Sequence, residues 1–305
     1  NFLEKSIIKA IVKVAGKGPH HLHEPSLKGK EIKYLKQAVK KNLVSSHDGH
    51  VKLFEKKLER FTNTKFAIAV INGTQAIHIS LKACGVRRNE EVLVPALTFV
   101  GSVNAISYLG AEPHFIDSKI EDFGIDCSKL EKYLNRIVIF KKKKSINKLT
   151  GRVISAIIPV HVFGHPCEIN KINKIAKKFN LIVVEDAAEG IGSLYMKKHL
   201  GSFGKVGCLS FNGNKTITTG GGGAIITNNK KLAKKIMHLI TTAKKYHKWE
   251  YIHDEVGYNN RMPSLNAALG LAQLEKIKIF LKAKRELFKK YSKAFNKINN
   301  LKLYR

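Results

Sequence analysis

Lys215 closes the segment Leu209-Ser210-Phe211-Asn212-Gly213-Asn214-Lys215 and is soon followed by the glycines Gly220 to Gly223. A lysine stem between an apolar run and a glycine run is partly desolvated; burial favours its neutral amine, and a neutral amine attacks carbonyls. In a chain with 55 Lys and Arg, however, Lys215 taken alone reads as a surface lysine. Asp186 stands in Val183-Val184-Glu185-Asp186-Ala187-Ala188-Glu189. An acid ending a buried strand sits where open parallel sheets hold their ligands, and the small residues after it leave room for a flat ring. The plainer alternative is a carboxylate that caps a turn. In Asn72-Gly73-Thr74-Gln75-Ala76 an apolar run ends in a glycine turn that opens a helix, and the free amides there attract an anion such as a phosphate. The alternative is an ordinary helix cap with Thr74 as the capping residue.

Together the three segments say more than each alone. An amide nest, a strand-end acid and a downstream lysine, in that order on an α/β chain, match the groups that pyridoxal 5′-phosphate requires. The nest would hold the 5′-phosphate, Asp186 would keep the pyridine nitrogen protonated so that the ring accepts electrons, and Lys215 would form the Schiff base. Other phosphate motifs do not fit. The four glycines precede a strand where a dinucleotide fingerprint needs a helix, and no lysine follows a glycine-rich loop at Walker spacing. No metal site is expected either. Cys84, Cys127, Cys167 and Cys208 lie about forty residues apart, without zinc or disulfide spacing, and suit reduced thiols in a cytoplasmic protein.

The elements that must position these groups are legible as periodicity. Helical spacing runs over 29–42 and 51–62, and from Phe66 compact apolar runs alternate with amphipathic stretches. The runs are 66–71, 91–94, 114–116, 153–160 and 181–184; the stretches between them include 76–84, 100–109 and 169–179. This rhythm predicts an α/β fold, a mostly parallel sheet sandwiched by helices. Strands are expected at 206–211 and 224–227, a helix at 231–242, and one long amphipathic helix after Ser264, with Leu265, Leu269, Ala272, Leu274, Ile277 and Leu281 on its stripe. The basic stretch Lys141 to Lys148 reads as an exposed loop. The expected domains are an N-terminal helical segment (1–50), a large cofactor-binding domain (51–262), and the long helix with the start of a small C-terminal α+β domain (263–305). That last part is too short to close its own core, and the chain lacks an initiating methionine, so a truncated chain is expected.

With 305 residues, 44% of them hydrophobic, the chain can bury a full core. No apolar run approaches the ~20 residues that cross a bilayer, and Phe2 to Val14 reads as a basic surface helix, a poor signal or transit peptide. The formal charge of +32 raises nucleic acid as a partner. The lysines are spread along the chain without interleaved stacking aromatics, which favours a solvated lysine face that still attracts polyanions.

On these residues the chain resembles the fold type I, DegT/StrS-type nucleotide-sugar aminotransferases, from Leu22-His23-Glu24-Pro25 to Asn266-Ala267-Ala268-Leu269-Gly270. It is similar to their LegC-like branch in Thr150-Gly151-Arg152, Val160-His161-Val162-Phe163-Gly164-His165-Pro166, Ser210 to Lys215, and His253-Asp254-Glu255-Val256-Gly257-Tyr258-Asn259. The resemblance implies that Thr74 and Gln75, after Gly73, bind the cofactor phosphate with Ser210. Phe99 would stack on one ring face and Ala188 on the other, Asp186 would pair with the ring nitrogen, and Glu189 would approach the phenolic oxygen. Asn259 would reach the phosphate of the neighbouring subunit, making a homodimer with shared sites. Glu189 stands where many relatives carry glutamine or histidine, and Asn212 where histidine is common. His161 and His165 read as structural groups in preference to sugar ligands. The implied reaction is a ping-pong transfer from an amino acid, glutamate, to a nucleotide-linked 4-keto-6-deoxysugar, serving bacterial surface polysaccharide or nonulosonic acid synthesis. Two alternatives stand beside it: a sugar dehydratase using the pyridoxamine form, which Lys215 argues against, and a basic polyanion-binding protein on the same scaffold.

Overall fold

The computed structural model describes residues 2–21, 23–46, 49–299, 301 and 303; Leu22 of the resemblance and the chain end at Arg305 lie outside the described residues. Helices α1 (Phe2–Ala15), α2 (Glu31–Lys40) and α3 (Gly49–Thr62) precede strand β1 (Phe66–Val70). Next come α4 (Gly73–Cys84), β2 (Glu91–Pro95), α5 (Val100–Ser107), β3 (Glu112–Ile116), α6 (Cys127–Ile137), β4 (Val138–Lys141) and β5 (Lys144–Asn147). The chain continues through β6 (Val153–Ile157), α7 (Ile169–Lys178), β7 (Ile182–Asp186), the short pair β8 (Leu194–Tyr195) and β9 (Lys198–His199), and β10 (Val206–Ser210). Then follow β11 (Gly223–Thr227), α8 (Lys230–Ile240), α9 (Ser264–Glu275) and α10 (Ile277–Phe295).

The main sheet has the order β1-β11-β10-β7-β6-β2-β3. Its neighbours are parallel from β10 to β3, while β11 runs antiparallel to both β1 and β10. This is the mostly parallel α/β sheet read from the sequence. Period-two alternation sets its two faces. Ile68 and Val70 of β1 face a core with α4, α5 and α8, whereas Ala67 and Ala69 face a second core with Phe54 and Leu58 of α3 and Leu271 and Leu274 of α9. A third cluster joins Leu93, Ile157 and Val183 to α6 and α7. Burial outweighs local propensity in α4, whose β-branched Ile77 and Ile79 are helical because both are buried. Their propensity cost relative to alanine is at most ~0.7 kcal/mol each, against roughly 1.5–3 kcal/mol gained by burying such a side chain.

Two expectations are corrected. The stretch Lys141 to Lys148 is no loop: Lys144 to Asn147 form β5, paired antiparallel with β4, and Lys142 and Lys143, at φ 46 and 62, make the turn. The strand is hidden in the sequence because its inward residues are polar. Ser145 is buried with its hydroxyl on the Phe179 carbonyl, and Asn147 donates to Glu91 at 2.9 Å. The helix after Ser264 is not continuous either. It breaks at Lys276, whose ammonium reaches the Lys28 carbonyl at 2.8 Å, dividing the buried α9 from the largely exposed α10. No helix among the described residues is long and apolar enough to cross a membrane.

One close approach in β10 bears on the site. A Cβ on Gly207 would lie 2.0 Å from the Gly201 carbonyl oxygen, and the Gly201 amide donates to the Glu185 carboxylate at 2.9 Å. Gly207→Ala should therefore push this turn off the sheet and destabilise the protein by about 3 kcal/mol, the upper range for overpacking. Thermal unfolding of the two proteins tests it, and an unchanged midpoint would refute the contact.

Candidate active site

Because β11 alone is reversed among the strands of the main path, β1, β2, β7 and β10 all end on the same edge of the sheet. In open α/β sheets that carboxyl edge is where ligands bind. The chain leaves β1 into Asn72-Gly73-Thr74, β2 into the segment carrying Phe99, β7 at Asp186, and β10 at Ser210 on the way to Lys215. Four segments distant in sequence thus deliver their groups to one place.

Helix α4 is capped by Asn72, not Thr74: the Asn72 side chain, on extended backbone, accepts the Gln75 amide at 2.8 Å. This leaves the amides of Gly73 and Thr74 in the first turn, where no preceding carbonyl faces them. Gln75 Oε1 is held by Asn260 at 2.8 Å and by His78 Nδ1 at 3.0 Å, so the side-chain NH2 is its remaining donor. Burial, with Lys82 nearby, lowers the His78 pKa to about 4, which keeps that ring neutral. A Cβ on Gly73 would meet Ser210 Cβ at 2.9 Å and Oγ at 3.2 Å, so only glycine lets the Ser210 hydroxyl stand against the helix start.

Asp186 is buried, 5% exposed. Its Oδ2 accepts the Ser102 hydroxyl at 2.6 Å and its Oδ1 the Ala188 amide at 3.0 Å. Burial raises its pKa; the two hydrogen bonds and the Lys215 charge pull the other way without overcoming it. Next to it in sequence, Glu185 is fully buried and satisfied by the amides of Gly201, Phe203 and Gly204 and by His161 Nε2 at 3.0 Å. His161 Nδ1 accepts the Cys167 amide at 3.4 Å, so Nε2 carries the proton. His161 is thus turned inward as a structural group.

Lys215 Nζ lies 3.1 Å from Glu189 Oε1, and Glu189 Oε2 accepts the Phe163 amide at 2.8 Å. The lysine side chain is 18% exposed. Phe163 holds φ 54, a region that costs a bulky residue energy and is found where surroundings enforce it. At Thr216, next to Lys215, a cavity of about 200 Å³ is lined also by His23, Glu24, Pro25, Phe280 and Lys284. Burial and the Lys284 and Lys215 charges lower the His23 pKa, and His23 Nδ1 has no hydrogen-bond partner among the described residues.

These residues fit pyridoxal 5′-phosphate. The amides of Gly73 and Thr74 and the Ser210 hydroxyl suit its phosphate. The 75% exposed Phe99 ring and Ala188 offer two apolar surfaces for a flat ring. Asp186 is a desolvated carboxyl whose hydrogen bonds come from neutral donors, suited to a cationic ring N–H. Asn259 is not among them: it is exposed and lines a different cavity of about 630 Å³ with Thr241, Lys244, Lys245 and Arg261. Asn212 is exposed, 3.5 Å from Asn214. Ser102, on Asp186 Oδ2, is a site residue that no motif in the sequence announces. The signal available was a hydroxyl pair, Thr98 and Ser102, one helical turn apart at the mouth of α5.

The family model of the DegT/DnrJ/EryC1/StrS aminotransferases matches residues 25–304. The chain is 40% identical over 277 residues to the GDP-perosamine synthase of Escherichia coli O157:H7, covering 91% of this chain and 71% of that protein. Its fold is similar to the crystal structure of a DegT DnrJ EryC1 StrS aminotransferase from Brucella abortus, with TM-score 0.80 and 27% identity over 90% of this chain and 72% of the other. It is also similar to PseC of Helicobacter pylori, an aminotransferase involved in the biosynthesis of pseudoaminic acid, with TM-score 0.77 and 25% identity over 88% and 68% of the two chains.

Proposed function

The chain belongs to the DegT/DnrJ/EryC1/StrS aminotransferase family, and from that premise we propose that it moves an amino group from glutamate to the keto carbon of a GDP-linked 4-keto-6-deoxysugar. The observation that carries the reading is the meeting of the Lys215–Glu189 pair with buried Asp186 on one edge of the sheet. The nucleotide follows the relatives. GDP-perosamine synthases from three bacteria are 36–40% identical to this chain, which favours a GDP sugar over a substrate of the LegC-like branch.

When bound, pyridoxal 5′-phosphate supplies an aldehyde that carries nitrogen and a ring that takes up electrons from the adjacent carbon. The Gly73 and Thr74 amides and the Ser210 hydroxyl anchor the phosphate at the positive end of α4. Phe99 and Ala188 would bracket the ring, and Asp186 would hold a proton at the ring nitrogen. Lys215 would hold the cofactor at its aldehyde end, and its Nζ would move the proton of the substrate carbon that bears nitrogen. Glu189, fixed by the Phe163 amide, aims that amine. Asn259 completes the phosphate site of the neighbouring subunit in a homodimer. The Lys284 ammonium at the cavity beside Thr216 suits an anionic substrate.

The test is incubation of the cofactor-loaded protein with glutamate and each of GDP-, UDP- and dTDP-linked 4-keto-6-deoxysugars, reading 2-oxoglutarate release. Release with the GDP sugar alone is expected. Turnover of a UDP or dTDP sugar but not the GDP sugar would overturn the assignment of the nucleotide, and no release with any of them would overturn the substrate class.

A further inference from the structure

We propose that Ser102 is a positioning residue that sets how Asp186 meets the cofactor's ring nitrogen, with Thr98 fixing the direction of the Ser102 hydroxyl. This rests on the reading of Asp186 as the partner of that nitrogen. Ser102 is 1% exposed, and its single hydroxyl proton goes to Asp186 Oδ2 at 2.6 Å. Thr98 makes that direction the favoured one: its hydroxyl donates to Ser102 Oγ at 3.0 Å, occupying Ser102 as acceptor and leaving its proton for the acid. The competing approach of Thr98 to the Phe99 carbonyl is longer, 3.3 Å. Such a chain of donors strengthens its last bond, which here ends on a carboxylate.

The first turn of α5 holds Ser102 in register with the rest of the site. The Ser102 amide bonds the Phe99 carbonyl at 3.0 Å. A Cβ on Gly101 would lie 2.7 Å from Thr74 Oγ1 and 3.0 Å from the Phe99 ring. One turn therefore ties together the ring platform, the phosphate end and the hydroxyl on Asp186, and a shift of Ser102 would disturb all three.

The other groups that face Asp186 are His161, whose Nε2–H goes to Glu185, Lys215, whose charge favours the carboxylate, and Cys208 on the neighbouring strand. Glu185, adjacent in β7, is already engaged by three amides and His161. None of these is hydrogen-bonded to Oδ2 among the described residues, so Ser102 is its protein donor. Without that donor the buried carboxylate is less favoured, and the carboxyl holds its own proton in place of leaving it on the ring nitrogen.

The experiment is a pyridoxal 5′-phosphate titration of Ser102→Ala and Ser102→Thr, each alone and combined with Asp186→Asn, with thermal unfolding of the cofactor-free proteins alongside. Ser102→Ala should raise the dissociation constant about 10- to 100-fold when Asp186 is present, the worth of a buried hydrogen bond to a charged group, and by about threefold or less in the Asp186→Asn background. Ser102→Thr, which keeps the hydroxyl, should restore binding to within about threefold of the parent. Equal weakening in the two backgrounds would mean that Ser102 only packs, and this proposal alone would fall. An unchanged dissociation constant in Ser102→Ala would overturn it as well, and a parent that binds no cofactor would overturn it together with the function it rests on.

Discussion

Lys215→Ala is expected to lower kcat for transamination by about 10³- to 10⁴-fold, the range expected for losing a positioned proton carrier together with its covalent role. The geometry makes the amine hard to replace. Nζ is held 3.1 Å from Glu189, and Glu189 is itself fixed by the amide of Phe163. Lys215→Arg separates the two things this amine does. A guanidinium keeps the positive charge opposite Glu189 but stays protonated, so it neither binds a carbonyl carbon nor accepts a proton. Both variants should therefore be inactive in single-turnover assays of 2-oxoglutarate release. Borohydride treatment followed by peptide mass analysis should find the cofactor on the Lys215 peptide of the parent only. If Lys215→Arg retained a rate near that of the parent, Lys215 would be an electrostatic residue and another amine would have to be sought.

What the sequence disclosed and what it concealed divide along a physical line. The strand, glycine turn and helix of 66–84 are legible because one local pattern, apolar run then cap then helical spacing, states the whole unit. Asp186 is legible because buried parallel strands are continuous apolar runs, so an acid at the end of one stands out. The hairpin at 138–147 is hidden because its inward positions, Ser145 and Asn147, are satisfied by partners far along the chain at Phe179 and Glu91. The break at Lys276 is hidden because the stripe from Leu265 to Leu281 carries across it unbroken. At the break the Lys276 side chain reaches the Lys28 carbonyl, on a segment nearly the whole chain away, and no local pattern announces that contact. Ser102 is hidden for the same reason. Its function lies in a bond to a residue 84 positions later, and a serine in the first turn of a helix carries no mark of that bond. At the glycine turn the capping side chain is Asn72, two residues before Thr74, so the cap offered as the alternative for Thr74 falls to its neighbour.

Asp186→Asn is expected to have opposite effects on the empty and the loaded protein. Burial raises the carboxyl above its ordinary value of 3.8, so the folded chain binds its proton more tightly than the unfolded chain does. Below pH 3.8 both states are protonated and the group costs the fold nothing. As pH rises from 3.8 through the raised folded value the cost grows, and above that value it is fully present. Asparagine has the same shape and no charge. Its Oδ1 can keep the Ala188 amide and its NH2 can donate to a reoriented Ser102 hydroxyl. Cofactor-free Asp186→Asn should therefore melt above the parent at neutral pH, with the difference closing as the pH is lowered towards 3.8. Saturating pyridoxal 5′-phosphate should reverse the order, because a ligand stabilises in proportion to how tightly it binds the folded state, and only the parent offers a carboxylate to the ring nitrogen. The same loss should lower kcat about 10²- to 10³-fold, as when one preorganised electrostatic partner is removed, with KM changing little. Melting curves from pH 4 to 8, with and without cofactor, together with steady-state rates, test the pair of effects. A cofactor-free variant melting below the parent at neutral pH would contradict the burial cost of the carboxylate, and a normal kcat would remove Asp186 from the chemistry.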